Sequence, residues 1–218
     1  MSVLLACPTR GRVWFETAMS LAEISQEHGV HELLYVHNTR SVLDASNEII
    51  KAFLETDCQS LLMIDDDVVP PADLLRLVHV LKVEDEAGIV GAPCPIVRPD
   101  LPVVPNLYRL DEASNEYAID LSMSLTEIPE QVVEVDGIGF GAVAISRSLA
   151  MAQPTFENRY DSKGEIYMGE DLDYCLRAKA KGYRTLALMD MLCDHRVDMS
   201  AAQVASILVT FLDKIKTA

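Results

Sequence analysis

Short apolar runs alternate with amphipathic helical stripes over the first 92 residues, and no other feature of the sequence constrains the fold as strongly. The runs cover residues 3–7, 32–37, 60–64 and 88–92. Apolar residues recur at helical spacing between them, so each pair of strands is predicted to be joined by a helix. This β-α-β-α-β-α-β order predicts an α/β fold with a Rossmann-like, mostly parallel central sheet flanked by helices.

Individual residues indicate where these elements begin and end. Pro8 is expected to end the first strand, and Gly29 to close the first helix. Ser41 and Asp44 resemble a capping box that opens the second helix. Pro71 suits the first turn of the third helix. The predicted helices therefore lie between the apolar runs, as a parallel sheet requires.

The pattern changes after residue 93, where a proline-rich stretch excludes a long regular element. The later predicted elements are two strands around the turn of residues 111–115, strands 132–135 and 142–146, a helix over 171–181, a strand over 183–188 and an amphipathic helix over 201–215. The short paired strands predict a small antiparallel region beside the main sheet. The last helix is expected to pack on the body or to pair with another subunit in a homo-oligomer.

Composition excludes some partners and favours a location. The 18 basic and 34 acidic residues give a net charge of −16, which disfavours an extended nucleic-acid track but leaves room for a local phosphate pocket. Five dispersed cysteines without a CxxC pair indicate reduced thiols, so we expect a cytoplasmic protein. No stretch has the length and hydropathy of a transmembrane segment, and the first residues do not resemble a signal peptide.

Three consecutive carboxylates, Asp65, Asp66 and Asp67, follow the third predicted strand directly. Ligands of parallel sheets bind beyond the carboxyl ends of the strands, where the loop after the first strand also lies. A pair of aspartates there can hold Mg²⁺ or Mn²⁺. The alternative is that they cap the next helix, for which one aspartate suffices. The mutual repulsion of three carboxylates therefore favours a metal site.

A second acidic cluster opens the helix predicted over 171–181. Glu170 and Asp171 complement the helix dipole, and a carboxylate held rigidly there could also act as a general base. His195 follows a strand-like stretch and carries a nitrogen ligand suited to transition metals, although a single histidine is weak evidence. Gly139 lies in the DGIGFG stretch, which does not fit a dinucleotide fingerprint and indicates a close backbone approach to a ligand or a tight bend.

The order of these features resembles the GT-A fold nucleotide-sugar glycosyltransferases, especially the large family of single-domain inverting enzymes. The resemblance covers most of the chain, and its motifs in order are ACPTRGR, the turn of residues 38–40 with its following helix, LLMIDDDVVPPADLL, GIGFGAVAISRSL, QPTF, EDLDYCLRAKAKGY and the DH pair at 194–195. The resemblance implies a DxD-dependent transfer of a sugar from a UDP- or GDP-linked donor to an acceptor hydroxyl, with inversion. It does not identify the acceptor.

The resemblance also assigns residues to roles. Asp171 matches the catalytic base, Asp67 and His195 match ligands of Mn²⁺ or Mg²⁺, and Glu170 is assigned to the acceptor. The residues assigned to the nucleotide sugar are Pro8, Thr9, Arg10, Arg40, Asp65, Asp66 and Gly139. Asp66 departs from the family pattern, in which the middle position of the motif is commonly uncharged. The implied single domain over residues 1–218 has a donor half (1–92), an acceptor and catalytic half (93–200) and a C-terminal helix (201–218).

Other functions remain open on the sequence. IDDDVV also matches the first motif of haloacid-dehalogenase-type phosphohydrolases, with Asp65 as nucleophile and Asp67 as acid/base. That motif should close the first strand of its domain, whereas here two βα units precede it. A nucleotidyltransferase would have a glycine-rich basic loop after the first strand, where CPTRGR has a single glycine. A nucleotide-sugar-binding module without catalysis is the third alternative.

Overall fold

The computed structural model describes residues 2–9, 11–37, 41–96, 103–111, 113, 116–123 and 132–196. The helices are α1 (Phe15–Ile24), α2 (Val42–Glu55), α3 (Arg76–Val83), α4 (Arg147–Ala152) and α5 (Glu170–Ala180). The strands are β1 (Val3–Thr9), β2 (Val30–His37), β3 (Ser60–Ile64), β4 (Val68–Val69), β5 (Ala87–Gly91), β6 (Pro95–Ile96), β7 (Val104–Pro105), β8 (Leu107–Asp111), β9 (Glu116–Ile119), β10 (Val132–Val135), β11 (Gly137–Ile138), β12 (Ala142–Ser146), β13 (Arg159–Tyr160), β14 (Ile166–Met168), β15 (Arg184–Leu188) and β16 (Asp194–His195).

A mainly parallel sheet of seven strands forms the centre of the described structure, in the order β10-β15-β5-β12-β3-β1-β2. Strands β2, β1 and β3 pair in parallel, as do β5 and β15. Strand β12 lies antiparallel between β3 and β5, and β10 pairs antiparallel with β15 at the edge. Small antiparallel sheets such as β11-β8-β9 complete the described part. The predicted α/β class, with its mostly parallel sheet and small antiparallel region, is confirmed.

The sheet is buried on both faces because its central strands are apolar at every position. In β1, Leu4 packs in one apolar layer and Leu5 in the opposite one, as the two-residue period of a strand requires. Helices α2, α4 and α5 cover the first layer, and α1 and α3 cover the second. This arrangement leaves the carboxyl ends of the parallel strands open.

Two predicted boundaries are wrong, and one is confirmed. Strand β1 continues through Pro8, which lies opposite Val36 of β2 and beyond the part of β1 that pairs with β3. Pro71 precedes α3 rather than opening it, because the bonds at Arg76 and Leu77 reach back only three residues and form turns before the helix. The second helix begins as predicted, with the Ser41 hydroxyl accepting the Asp44 N–H at 3.0 Å.

Helix α1 also ends earlier than its sequence pattern predicts. It stops at Ile24, and Gly29 lies in the turn that leads into β2 with a φ of 99°. The left-handed backbone at Gly29 explains why a glycine occupies this turn. The predicted helix over residues 201–215 falls outside the described residues, as do Arg10 and Arg40. Within the described residues, no helix has the length and hydropathy to cross a membrane.

Candidate active site

The three aspartates after β3 are fixed by segments from distant parts of the chain. The bonds are Asp65 N–H to the Gly141 carbonyl (2.9 Å), Trp14 N–H to the Asp66 carbonyl (3.0 Å) and Arg196 N–H to the Asp67 carbonyl (2.7 Å). All three side chains are half-buried. These backbone bonds to distant segments therefore hold the loop in one conformation.

His195 is brought to these aspartates by a short ribbon that the sequence did not predict. Strand β16 pairs antiparallel with β4, and His195 lies opposite Val68. Its Nε2 is 3.4 Å from Oδ2 of Asp67. A hydrogen bond and the charge of Asp67 raise the pKa of His195, and the carbonyl of Pro95 adds to this effect. The structure thus places together the two residues predicted as metal ligands.

Asp65 lies in an environment that disfavours its negative charge. Burial raises the pKa of Asp65 to about 8, and the charges of Asp67, Asp66 and Asp171 contribute further. A bound cation would relieve this repulsion.

The donor atoms at this edge fit a divalent cation. The part of the chain that the structure describes contains no group of three or more His, Cys, Asp or Glu side chains that could hold a metal. The carboxylate of Asp67 and the imidazole of His195 supply two ligands of types that Mn²⁺ accepts. Such an ion commonly takes its other ligands from substrate phosphates and water. The pair therefore suits a metal that binds together with a phosphate-bearing ligand.

Two clefts meet at Asp65. The larger has a volume of about 310 Å³ and is lined by Asp65, Val68, Cys94, Pro95, Ile96, Asn106, Tyr108, Gly139, Phe140, Gly141, Asp171 and His195. The smaller has a volume of about 60 Å³ and is lined by Pro8, Thr9, Val42, Ala45, Asp65, Asp66 and Asp67. The structure therefore brings most of the predicted site residues to one place and divides them between two compartments.

Asp171 lies in the first turn of α5 and contributes to the larger cleft. Its Oδ1 accepts the Leu172 N–H at 2.7 Å, and the backbone N–H of Phe140 also bonds to the carboxylate. Burial nevertheless raises the pKa of Asp171 to about 6, with a further contribution from the charge of Glu170. A carboxyl group with this pKa is ionised at neutral pH and is a stronger base than an ordinary aspartate. Glu170 is absent from the residues that line the larger cleft.

Helix α5 is fixed by contacts that hold Asp171 in place. Tyr174 and Cys175 are fully buried, whereas Leu172 and Leu176 are only half-buried. Tyr174 stacks on Phe156 with ring centroids 4.3 Å apart. The start of the helix is therefore anchored through an aromatic contact that the sequence pattern did not reveal.

Gly139, the middle glycine of the DGIGFG stretch, leaves room for the side chain of Asn106. A Cβ atom at Gly139 would lie 2.6 Å from Nδ2 of Asn106. The close approach predicted for this stretch is therefore made to another residue of the protein, and Gly139 lines the larger cleft. Sequence reasoning missed Asn106 and Tyr108, since an isolated asparagine or aromatic residue after a proline-rich stretch carries no distinctive signal. It singled out the stretch that contains Phe140 but not that residue.

No protein-family model matches this sequence, and no curated protein matches it either. Solved structures do match. A197 from STIV is 20% identical with a TM-score of 0.59, over 91% of this chain and 87% of that one. GalNAc-T7 with UDP, GalNAc and Mn²⁺ is 10% identical with a TM-score of 0.61, over 92% of this chain and 44% of that one. A mannosyltransferase from Pyrobaculum calidifontis with GDP-Man and Mn²⁺ is 15% identical with a TM-score of 0.54, over 99% of this chain and 64% of that one.

These matches show that the chain has a GT-A-type fold, as its sequence predicted. At such low identities the likeness concerns the fold alone. A CMP:2-keto-3-deoxy-manno-octonic acid synthetase complexed with CTP is also similar, at 9% identity and a TM-score of 0.53 over 98% of this chain and all of that one. Proteins of different chemistry share this architecture, so the fold does not identify the function, which depends on the residues of the site.

Proposed function

We propose that this protein is a metal-dependent glycosyltransferase that moves a sugar from a nucleoside-diphosphate sugar to an acceptor hydroxyl with inversion. The observation that carries the proposal is the arrangement of Asp65, His195 and Asp171 around one cleft, with Asp67 beside His195. The UDP and Mn²⁺ bound to GalNAc-T7, and the GDP-Man and Mn²⁺ bound to the mannosyltransferase, support a donor and a metal of these kinds.

In this proposal the nucleoside lies against the smaller cleft, whose volume of about 60 Å³ is too small to enclose a nucleotide. Pro8 and Thr9 form its wall at the end of β1, and the aspartates close it on the other side. Asp65 lines both clefts, so it would contact the donor where the nucleoside meets the diphosphate and sugar. Arg10 and Arg40 belong to the proposed donor site through the family resemblance.

Asp67 and His195 would hold the divalent cation in the proposed site. When bound, a Mn²⁺ or Mg²⁺ ion stabilises the negative charge of the leaving diphosphate. The ring of His195 is fixed by its position in β16 and by its interaction with the carbonyl of Pro95. Fixed ligands of this kind reduce the reorganisation that metal binding requires.

Asp171 would act as the general base in the larger cleft. The acceptor oxygen forms a bond to the anomeric carbon while its proton passes to the Asp171 carboxylate. The bond from the anomeric carbon to the diphosphate oxygen breaks, and its electron pair leaves with the nucleoside diphosphate. Attack from the face opposite the leaving group inverts the configuration at that carbon. Glu170 would assist through its charge, which raises the pKa of Asp171, and its assignment to the acceptor comes from the family resemblance alone.

The alternatives make different use of the same residues. A phosphohydrolase would need Asp65 as an ionised nucleophile, whereas burial and the neighbouring carboxylates raise the pKa of this group. It would also leave the buried base at Asp171 without a role. A binding module without catalysis would need neither that base nor its raised pKa.

Metal-dependent nucleotide binding tests the proposal. Titration calorimetry with UDP and GDP should show binding with Mn²⁺ that weakens greatly in EDTA. Asp67→Ala should reproduce the effect of EDTA, because it removes one of the two proposed protein ligands. A nucleotide-sugar panel screened by metal-dependent thermal stabilisation would then identify the donor.

Asp57→Ala is the matched control for this titration. Asp57 is an exposed aspartate that precedes β3 at the opposite edge of the sheet, so its removal changes the net charge equally. It should leave metal dependence unchanged. Equal affinity with and without Mn²⁺ for every nucleotide tested would contradict the proposal.

A further inference from the structure

Asn106 joins three segments that form the wall of the larger cleft. Its Oδ1 accepts the Cys94 N–H at 2.8 Å, and its Nδ2 donates to the Gly139 carbonyl at 3.1 Å. Its backbone N–H donates to the Cys94 carbonyl at 2.9 Å, and its carbonyl accepts the Gly139 N–H at 3.0 Å. The side chain is buried, so these bonds are protected from competition by water.

The segment held by Asn106 connects two carboxylates of the site. Gly139 is hydrogen-bonded to Asn106. Phe140, which follows Gly139, donates its N–H to Asp171. The carbonyl of Gly141 accepts the Asp65 N–H at 2.9 Å. A displacement of the Gly139–Phe140 peptide would therefore move a hydrogen-bond donor of Asp171. The contact is tight, because a Cβ at Gly139 would lie 2.6 Å from the Asn106 amide nitrogen.

We propose that Asn106 is a positioning residue for Asp171. Its amide fixes the Gly139–Phe140 peptide, and that peptide orients the carboxylate toward the acceptor. The role of Asp171 as a base rests on the proposed function. The structural link from Asn106 to Asp171 rests on hydrogen bonds alone and can be tested separately.

The groups that face Asp171 determine the direction of the expected change. Glu170 and Asp65 carry the neighbouring charges, and Cys175 lies one turn further along α5. The N–H groups of Leu172 and Phe140 stabilise the ionised form. Asn106→Ala leaves every one of these groups in the sequence but releases the peptide that carries the Phe140 N–H. The pKa of Asp171 should therefore rise.

Thr56 provides a control that makes the same two kinds of bond. Its hydroxyl donates to the Phe53 carbonyl at 2.8 Å and accepts the Cys58 N–H at 3.2 Å. It lies between α2 and β3 and is absent from the linings of both clefts. Thr56→Ala and Asn106→Ala should both lower Tm, because each removes two hydrogen bonds to the backbone.

Steady-state kinetics with the donor found in the nucleotide-sugar screen should separate the two variants. Asn106→Ala should reduce kcat roughly 10-fold or more, because a small misplacement of a catalytic group has a large effect on rate. It should leave the donor KM within about 2-fold and move the acid limb of kcat/KM to higher pH. Thr56→Ala should leave kcat and the acid limb as in the wild type. Asn106→Ser, whose hydroxyl is too short to reach both partners, gives a second test if the alanine variant does not fold.

A titration of the Asp171 carboxyl group tests the inference without turnover. ¹³C NMR of aspartate carboxyls in EDTA, with Asp171→Asn to assign the signal, should show a higher pKa in Asn106→Ala and an unchanged one in Thr56→Ala. That result, in a protein that transfers no sugar, would uphold the link and refute only the proposed function. An unchanged titration in Asn106→Ala, or the same change in Thr56→Ala, would overturn the positioning role.

Discussion

The carboxyl group of Asp171 is subject to opposing influences. Burial at the start of α5 disfavours its charge, and Glu170 adds repulsion from the neighbouring position. The N–H groups of Leu172 and Phe140 favour the charge by donating to the carboxylate. The result is a pKa of about 6, which allows the group to be ionised at pH 7 and still to accept a proton readily.

Asp171→Asn should therefore abolish proton acceptance while preserving the shape of the site. We expect kcat to fall by roughly 10²–10⁴-fold, with donor and metal binding near normal, because a base acts only in the chemical step. In the wild type, kcat/KM should fall as the pH drops below about 6, since protonation of Asp171 removes the base. Initial rates over a pH series and calorimetry of donor binding measure these effects.

Two results would assign Asp171 another role. Retention of configuration in the fresh product, seen by NMR, would show that it is not the base of an inverting reaction. Loss of turnover in Glu170→Gln but not in Asp171→Asn would transfer the role to the neighbouring residue.

At the scale of elements, a buried ion cluster attaches helix α5 to the hairpin of β13 and β14. Asp173 is almost fully buried and accepts from the Nε atoms of Arg159 at 2.5 Å and Arg177 at 2.6 Å. Arg159 lies in β13, and Arg177 lies one turn along α5. The cluster thus holds the helix that carries Asp171 against the segment before it.

Asp173→Ala should lower the free energy of unfolding, because it leaves two guanidinium groups without their shared carboxylate. Breaking a buried ion pair costs about 3–5 kcal/mol, and we expect the lower end since both arginines are partly exposed. Urea denaturation measures the change. Glu165→Ala, which removes an exposed carboxylate from the same hairpin, should leave stability nearly unchanged. Equal stability of the two variants would show that the cluster contributes little.

On the scale of the whole molecule, the GT-A-type sheet places the acidic residues at the carboxyl ends of its parallel strands. The same sheet, with aspartates after a buried strand, could also serve phosphoryl chemistry. The two chemistries differ in what Asp65 does. In sugar transfer it contacts the donor, and in phosphate hydrolysis it forms a covalent bond to phosphorus.

We predict that the protein neither hydrolyses a generic aryl phosphate nor is trapped by phosphate-mimicking fluorides. It should instead hydrolyse one nucleotide sugar slowly to free sugar and nucleoside diphosphate, in a metal-dependent reaction. Chromatography of the products after long incubation measures both activities. Robust aryl phosphatase activity that disappears in Asp65→Asn would favour the phosphohydrolase and would exclude transfer as the main function.

The sequence by itself determined the elements that depend on local pattern. The run of residues 60–64 became a strand with the predicted bounds, because the four consecutive apolar residues after Ser60 must be buried on both faces of a sheet. The hydroxyl of Ser41 caps α2 because its bond spans only three residues. The aspartates lie at a strand end for the same local reason, since charged residues stop the burial of β3. The GT-A resemblance likewise came from the order of such local motifs.

Only the tertiary structure decided which distant segments meet. The insertion of β12 between β3 and β5 and the pairing of β4 with β16 join segments that local periodicity treats as unrelated. The pairing of β4 with β16 places His195 beside Asp67, and the pairing of β8 with β11 places Asn106 against Gly139. Periodicity reports which side of an element is buried, but the partner of a strand depends on packing over both faces of the sheet at once. The sequence therefore showed which chemical groups the protein carries, but it did not show that they meet in one cleft.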